Sequence, residues 1–353
     1  MNFKLENLIR TNVKTLNPYS SARDEFSGTS SIFLDANENP YDNGVNRYPD
    51  PQQWKLKERL SEIKGIAKKN MILGNGSDEV IDLLLRAFCE PGQDKLIICK
   101  PTYGMYQVAA QINDLKICEL ELDANFQPDV KAILENNDAK LLFICSPNNP
   151  TGNLIDNEIL RELLDQFNGL IVLDEAYIDF VADASMLNEL CKYPNLVILQ
   201  TLSKAWGMAG IRLGMGFASI DIIEVLNKIK PPYNVNVLTQ DKALELLKDE
   251  KCFEKEVELL LQEKKWLSEE LRSFTFVEKV FPSQANFILI RVKDANELYQ
   301  FLVEKGIVIR NRTNVSQLRN CLRISVGTKT ENQNLFAALK DFEKKQLQTT
   351  QAK

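Results

Sequence analysis

The chain has 353 residues, 44% hydrophobic and 26% charged, enough for two globular domains whose cores need neither metal nor disulfide. Its formal net charge of −6 argues against a nucleic-acid footprint but leaves room for a local basic pocket that holds a small anion. It contains no histidine, which excludes a Ser-His-Asp triad, a Cys-His pair and any histidine metal site, and leaves acid–base work at neutral pH to Lys, Tyr, Asp, Glu, Cys or a cofactor.

The first ten residues alternate charge with apolar side chains and lack the apolar core of a signal peptide. Phe3, Leu5, Leu8, Ile9, Val13 and Leu16 recur near a helical period, and Asn17-Pro18 ends that helix. Residues 32–34 read as a short strand, and Arg47-Tyr48-Pro49-Asp50-Pro51 as an extended segment before an amphipathic helix over 52–63. From Met71 onward strands and helices alternate. Apolar runs at 71–73, 95–99, 116–120, 141–145, 170–173 and 196–199 read as strands, with helices reaching Phe88, opening after Tyr103, and spanning 129–135 and 156–167. This pattern predicts an α/β domain built on a mostly parallel sheet covered on both faces.

After Pro231-Pro232 the pattern changes. A long charged amphipathic stretch over 239–272 precedes strands near 275–280 and 286–290, a helix near 295–305, strands near 308–310 and 321–324, and a C-terminal helix. It reads as a smaller α+β domain. The expected division is a large domain over 30–235 and a small domain formed by 1–29 with 236–353. No run approaches the roughly 18 apolar residues of a membrane span. The seven cysteines are scattered without a C-x-x-C pair, as free thiols of a reducing cytosol and not as a zinc site.

In an open parallel sheet, ligands gather at the carboxyl ends of the strands. Five polar groups fall there: Gly76-Ser77-Asp78, Tyr103, Ser146-Pro-Asn-Asn149, Asp174 with Tyr177, and Thr201-Leu-Ser203-Lys204 with Arg212. Lys204, at the mouth of an apolar strand, is either a surface turn lysine or an amine pushed toward its neutral, aldehyde-binding form. Gly76-Ser77 either caps a helix or offers backbone N–H groups to a phosphate, with Arg212 as counter-charge. Asp174, at a strand end, needs a cationic partner, either a structural arginine or a protonated ring nitrogen. Tyr103 either packs or stacks on a flat ring. Assembled, these parts describe a pocket for pyridoxal 5′-phosphate: Lys204 for the aldehyde, Asp174 for the ring nitrogen, and Arg212, Gly76, Ser77 and Ser203 for the phosphate.

The set Ser-Pro-Asn-Asn-Pro-Thr-Gly at 146–152, Asp174-Glu-Ala-Tyr177 and Ser203-Lys204 through Gly-Ile-Arg212-Leu-Gly resembles the fold-type-I, pyridoxal-phosphate-dependent aminotransferases. Asn17-Pro-Tyr19, Asp35-Ala-Asn37-Glu-Asn-Pro40, Asn46-Arg-Tyr48-Pro49, Pro101-Thr-Tyr-Gly-Met-Tyr106 and Leu322-Arg323-Ile-Ser-Val-Gly327 resemble its histidinol-phosphate branch. The resemblance covers nearly the whole chain. It implies amino transfer between L-histidinol phosphate and 2-oxoglutarate in histidine biosynthesis, by a cytoplasmic homodimer with no nucleic-acid or membrane partner and no metal. The alternatives are an aromatic amino acid aminotransferase and a phosphothreonine-type decarboxylase on the same fold.

By the same resemblance, Lys204 is the catalytic residue that also holds the cofactor. Gly76, Ser77, Asp78, Tyr103, Asn149, Asp174, Tyr177, Thr201, Ser203 and Arg212 surround that cofactor, and Tyr48 reaches it from a partner subunit. Tyr177 and Asn149 would bond the ring oxygen. Tyr19, Asn37, Arg310 and Arg323 would bind substrate, with Arg312 and Arg319 close enough in sequence to be mistaken for Arg310.

Overall fold

The computed structural model describes residues 3–19 and 32–351, and two sheets organise them. The larger sheet contains β1 (Met71–Asn75), β2 (Lys95–Lys100), β3 (Lys116–Glu121), β4 (Leu141–Cys145), β5 (Leu170–Asp174), β6 (Leu196–Thr201) and β7 (Leu213–Phe217), in the order β1-β7-β6-β5-β4-β2-β3. The pairs β2/β3, β2/β4, β4/β5 and β5/β6 are parallel, and β7 runs antiparallel between β1 and β6. Every residue of β4, β5 and β6 is buried, as apolar runs covered on both faces require. Alternate residues feed opposite faces: Leu141, Phe143 and Cys145 join one core cluster, Leu142 and Ile144 the other.

The chain moves outward from β2 to β3 and then returns to the other side of β2 as β4. The strand order therefore reverses between β2 and β4, which leaves a crevice at the carboxyl ends of these strands. β7 has no counterpart among the predicted strands. Its Gly214 and Gly216 admit a helix at close range, since a Cβ on Gly214 would lie 2.1 Å from the Ser77 backbone nitrogen and one on Gly216 2.8 Å from Val80. The helix Ser77–Phe88 is thereby held flat on the sheet, burying Val80, Ile81, Leu84 and Phe88, with its N-terminus at the crevice.

The smaller sheet is antiparallel, in the order β10-β11-β9-β8, from β8 (Val277–Val280), β9 (Phe287–Val292), β10 (Arg310–Asn311) and β11 (Cys321–Ser325). The helices Glu250–Leu271, Ala295–Glu304 and Lys329–Gln351 share a core with one of its faces through Leu271, Leu298, Leu339 and Phe342, against Ile288, Ile290, Leu322 and Ile324. By the two-residue period of a strand, Phe287 and Leu289 on β9 and Arg323 on β11 point the other way, toward the large domain. Among the described residues, no helix is long and apolar enough to cross a membrane.

Four expectations change. The N-terminal segment, assigned by its sequence to the small domain, packs Leu8, Ile9 and Val13 against Val80, Leu84 and Ile222 of the large one, and Arg10 pairs with Glu90 at 2.9 Å. It forms two short turns, Leu5–Asn7 and Thr11–Lys14, in place of one helix. The charged stretch is likewise two helices, Val237–Leu246 and Glu250–Leu271, and Ala243 in the first and Leu247 just past it share a core cluster with Leu56, Leu60 and Met215. Residues 32–34 form no strand, and Ile32 and Leu34 are 73% and 88% exposed.

Candidate active site

A cavity of about 540 Å³ lies between the strand ends of the large sheet and the arginine-bearing face of the small one. Asp174, the last residue of β5, is buried at its base. Its Oδ1 accepts from the Ala176 backbone N–H at 3.0 Å, and its Oδ2 accepts from the Tyr106 hydroxyl at 2.6 Å. Tyr106 is fully buried, its ring stacked on Phe143 at 4.8 Å. Burial pushes the Asp174 carboxyl up to about 6, against the pull of these two hydrogen bonds. Glu175 points to the opposite face, where Ser185, Met186 and Gln200 donate to its carboxylate. It lies outside the cavity lining.

Lys204 lies just past β6, in a loop fixed by Thr201 Oγ1, which contacts both the Ser203 hydroxyl and the Ser203 backbone N–H. Its side chain is open to the cavity and forms no hydrogen bond or ion pair among the described residues; Nζ stands 5.6 Å from the Tyr177 ring centre. Desolvation first, then Arg323, lowers its pKa, so the wall favours a neutral amine more than open water does. On one side Asn149 Nδ2 donates to the Tyr177 hydroxyl at 3.2 Å, and Asn149 Oδ1 accepts from Arg323. The Tyr177 ring meets Phe287 edge-on at 5.1 Å, which fixes its orientation.

On the other side is the N-terminus of the helix Ser77–Phe88. Gly76, at φ +75°, donates its backbone N–H to Arg212 O at 2.8 Å. A Cβ there would lie 2.6 Å from the Arg212 guanidinium, so only glycine lets the arginine and the free helix amides face the same space. Asp78 sits between two donors, accepting from Tyr103 at 3.2 Å and from Arg212 at 3.4 Å. Arg310, Arg312 and Arg323 complete the lining.

The cavity thus brings together Gly76, Ser77, Asp78, Tyr103, Asn149, Asp174, Tyr177, Thr201, Ser203, Lys204, Arg212, Arg310 and Arg323. It does not include Tyr19, Asn37 or Tyr48. Tyr19 is 74% exposed. Asn37 and Tyr48 border a separate hollow with Val45 and Leu238, where Tyr48 stacks on Tyr233 at 4.4 Å. Sequence reasoning passed over two residues. Tyr106 reads as one more apolar helix position, and nothing local marks its partner 68 residues away. Arg312, named above only as a residue to be mistaken for Arg310, stands two residues beyond it on an extended segment, where neighbours at that spacing share a face.

An amine with a lowered pKa, a buried carboxylate in want of a cation, a helix N-terminus beside an arginine, and a wall of guanidiniums are suited to a phosphorylated aldehyde of a nitrogen heterocycle and to anionic substrates. The family described as aminotransferase class I and II matches residues 30–339. A histidinol-phosphate aminotransferase of Parabacteroides distasonis is 55% identical over 340 residues, covering 96% of this chain and 99% of its own. The crystal structure of the histidinol-phosphate aminotransferase from Clostridium acetobutylicum superposes with a TM-score of 0.79 at 28% identity, over 85% of this chain and 92% of that one. That of the Sinorhizobium meliloti enzyme in complex with pyridoxal-5′-phosphate has a TM-score of 0.79 at 23% identity, over 85% and 83%.

Proposed function

The chain belongs to the class I and II aminotransferases and, within them, to the histidinol-phosphate aminotransferases; from that premise we propose that it moves the amino group of L-histidinol phosphate to 2-oxoglutarate, giving imidazole-acetol phosphate and L-glutamate. The observation that carries this reading is the single cavity holding one lysine, one buried carboxylate and a wall of arginines. Pyridoxal 5′-phosphate is the cofactor that these residues fit, and when bound it supplies an aldehyde for the amino group and a ring that withdraws electrons. Lys204 would hold the aldehyde and Asp174 the ring nitrogen. Asn149 and Tyr177 would take the ring oxygen and Tyr103 a ring face. The phosphate falls to Gly76, Ser77, Thr201, Ser203 and Arg212, with Asp78 steadying the arginine.

Once the substrate amino group has taken its place on the aldehyde, the freed Lys204 amine would take the proton from the substrate carbon that bears that amino group, a role its lowered pKa supports. Arg323, held by Asn149, and Arg310 grip the anionic end of each substrate. The test is a single-turnover experiment that follows the absorbance of the bound cofactor. L-Histidinol phosphate is expected to convert the holoenzyme rapidly. Faster conversion by phenylalanine would make it an aromatic aminotransferase, and carbon dioxide release from O-phosphothreonine a decarboxylase.

We propose further that the working unit is a homodimer in which Tyr48 completes the partner's site. Ile32, Leu34, Tyr41, Val45 and Leu238 are all more than half exposed, an apolar surface that suits a second copy. Neither the Lys204→Ala chain nor the Tyr48→Ala chain should transfer at more than a small fraction of the wild-type rate. Mixing them after unfolding should restore about a quarter of wild-type activity, because each hybrid dimer then has one intact site. No recovery on mixing would reject the shared site.

A further inference from the structure

The small sheet presents three arginines to the cavity, and the function proposed above uses two. Arg310 and Arg323 are direct cross-strand partners on β10 and β11. The pairing continues one step further, where the Arg312 backbone N–H donates to Cys321 O at 2.9 Å. Two residues apart on an extended segment, Arg310 and Arg312 share a face, which is also that of Arg323. No carboxylate pairs with any of the three among the described residues; the one arginine of the cavity with an acidic partner is Arg212, beside Asp78. The Nε atoms of Arg312 and Arg323 are buried and have no hydrogen-bond partner. Arg323 gives one N–H to Asn149, whereas the Arg312 side chain makes no hydrogen bond within the described chain. Burial, then Arg323 and Arg310, push Arg312 down to about 10.

Two half-buried guanidiniums, Arg312 and Arg323, beside the exposed Arg310 are like charges that repel one another until an anion enters. The identity of the anion follows from counting acceptors. A carboxylate has one charge and two oxygens, both of which a single bidentate arginine engages. A phosphate monoester has nearly two charges and three terminal oxygens. A third guanidinium is therefore surplus to a single carboxylate but matched to a phosphate, which gathers its charge and three oxygens at one point where glutamate spreads two carboxylates over the length of its chain.

We propose that Arg312 is the third arginine of a phosphate-monoester subsite, a specificity residue that contacts the phosphorylated substrate and leaves the carboxylates of the glutamate half-reaction to Arg310 and Arg323. This rests on the function proposed above. In the Arg312→Gln holoenzyme, kcat/KM for L-histidinol phosphate should fall about 10- to 150-fold, the range for a lost hydrogen bond to a charged group, and that for glutamate less than about 3-fold. Arg312→Lys keeps the charge but loses the planar fork, and should fall in between. Inorganic phosphate, titrated calorimetrically onto the holoenzyme, should bind wild type at least about 10-fold more tightly than Arg312→Gln, while acetate binds both alike. Equal losses for the two substrates, a larger loss for glutamate, or phosphate binding unchanged by the substitution would each overturn the assignment. Should wild type fail to accept histidinol phosphate at all, the proposed function falls, and the phosphate titration still decides for or against Arg312. Removal of one of three repelling charges is expected to leave the thermal midpoint at or above that of wild type, which is measured on the same samples.

Discussion

Lys204→Ala is expected to lower the rate of amino transfer by about 10⁴-fold or more while leaving the thermal midpoint close to that of wild type. Among the described residues Lys204 is the one lysine that lines the cavity. The loop that carries it is set by contacts its side chain does not make, namely Thr201 with Ser203, Leu202 N–H to Leu213 O, and Gly207 N–H to Lys204 O. Truncation at Cβ therefore removes the amine and leaves its surroundings. Lys204→Arg separates charge from chemistry. Arginine keeps the positive charge at every accessible pH and so is neither a nucleophile nor a base. If Lys204 served only to attract anions, the arginine variant would work nearly as well as wild type. As the group that takes a proton and binds an aldehyde, it should be about as inactive as the alanine variant. Stopped-flow turnover of all three proteins loaded with cofactor decides the matter, and more than about a tenth of wild-type activity in Lys204→Arg would remove the lysine from its assigned role.

The parts of the fold legible in the sequence were those in which side chains announce their own burial. The runs of β4, β5 and β6 are apolar at every position because both faces are covered. β7 was hidden for the opposite reason, since Gly214 and Gly216 have no side chain to read, and their selection lies in the helix that presses on them. Ile32, Phe33 and Leu34 have strand-like composition, but composition does not say what pairs with a strand, and Ile32 and Leu34 stay more than half exposed. The site followed the same division. Asp174, Lys204 and Arg212 stand at strand ends or turns, where a charged residue needs a reason. Tyr106 sits where an apolar residue would do equally well, and its hydroxyl matters only because the helix Met105–Ile112, on one face of the sheet, begins above the tip of β5.

Asp174→Asn should reduce amino transfer on the order of 10³-fold, the scale for removing one preorganised charge from a closed site, and weaken retention of the cofactor. The same substitution should leave the cofactor-free protein as stable as wild type at neutral pH, or more so. The folded-state pKa of Asp174 is raised from 3.8 to about 6, chiefly by burial. A raised carboxyl pKa means that its contribution to stability is fully present below about pH 4 and is lost as pH rises through about 6. At 1.36 kcal/mol per unit, keeping this carboxylate ionised costs the empty protein about 3 kcal/mol at neutral pH. Asparagine carries no such cost, and its hydrogen bonds can be met: Oδ1 still accepts from Ala176, Nδ2 donates to the Tyr106 oxygen, and the Tyr106 hydroxyl turns to Cys145, with which it is already in contact. Denaturant midpoints measured from pH 4 to 8 on cofactor-free protein should therefore fall more steeply with pH for wild type than for Asp174→Asn. Glu175, raised to about 7, contributes a similar slope to both proteins, so the difference between the two curves isolates Asp174. Parallel curves would mean that the carboxylate is already neutralised by the chain itself, and its pairing with a ring nitrogen would lose its physical basis. Diverging curves would show that the fold holds a charge destabilised in the empty site, whose cost a bound cation relieves.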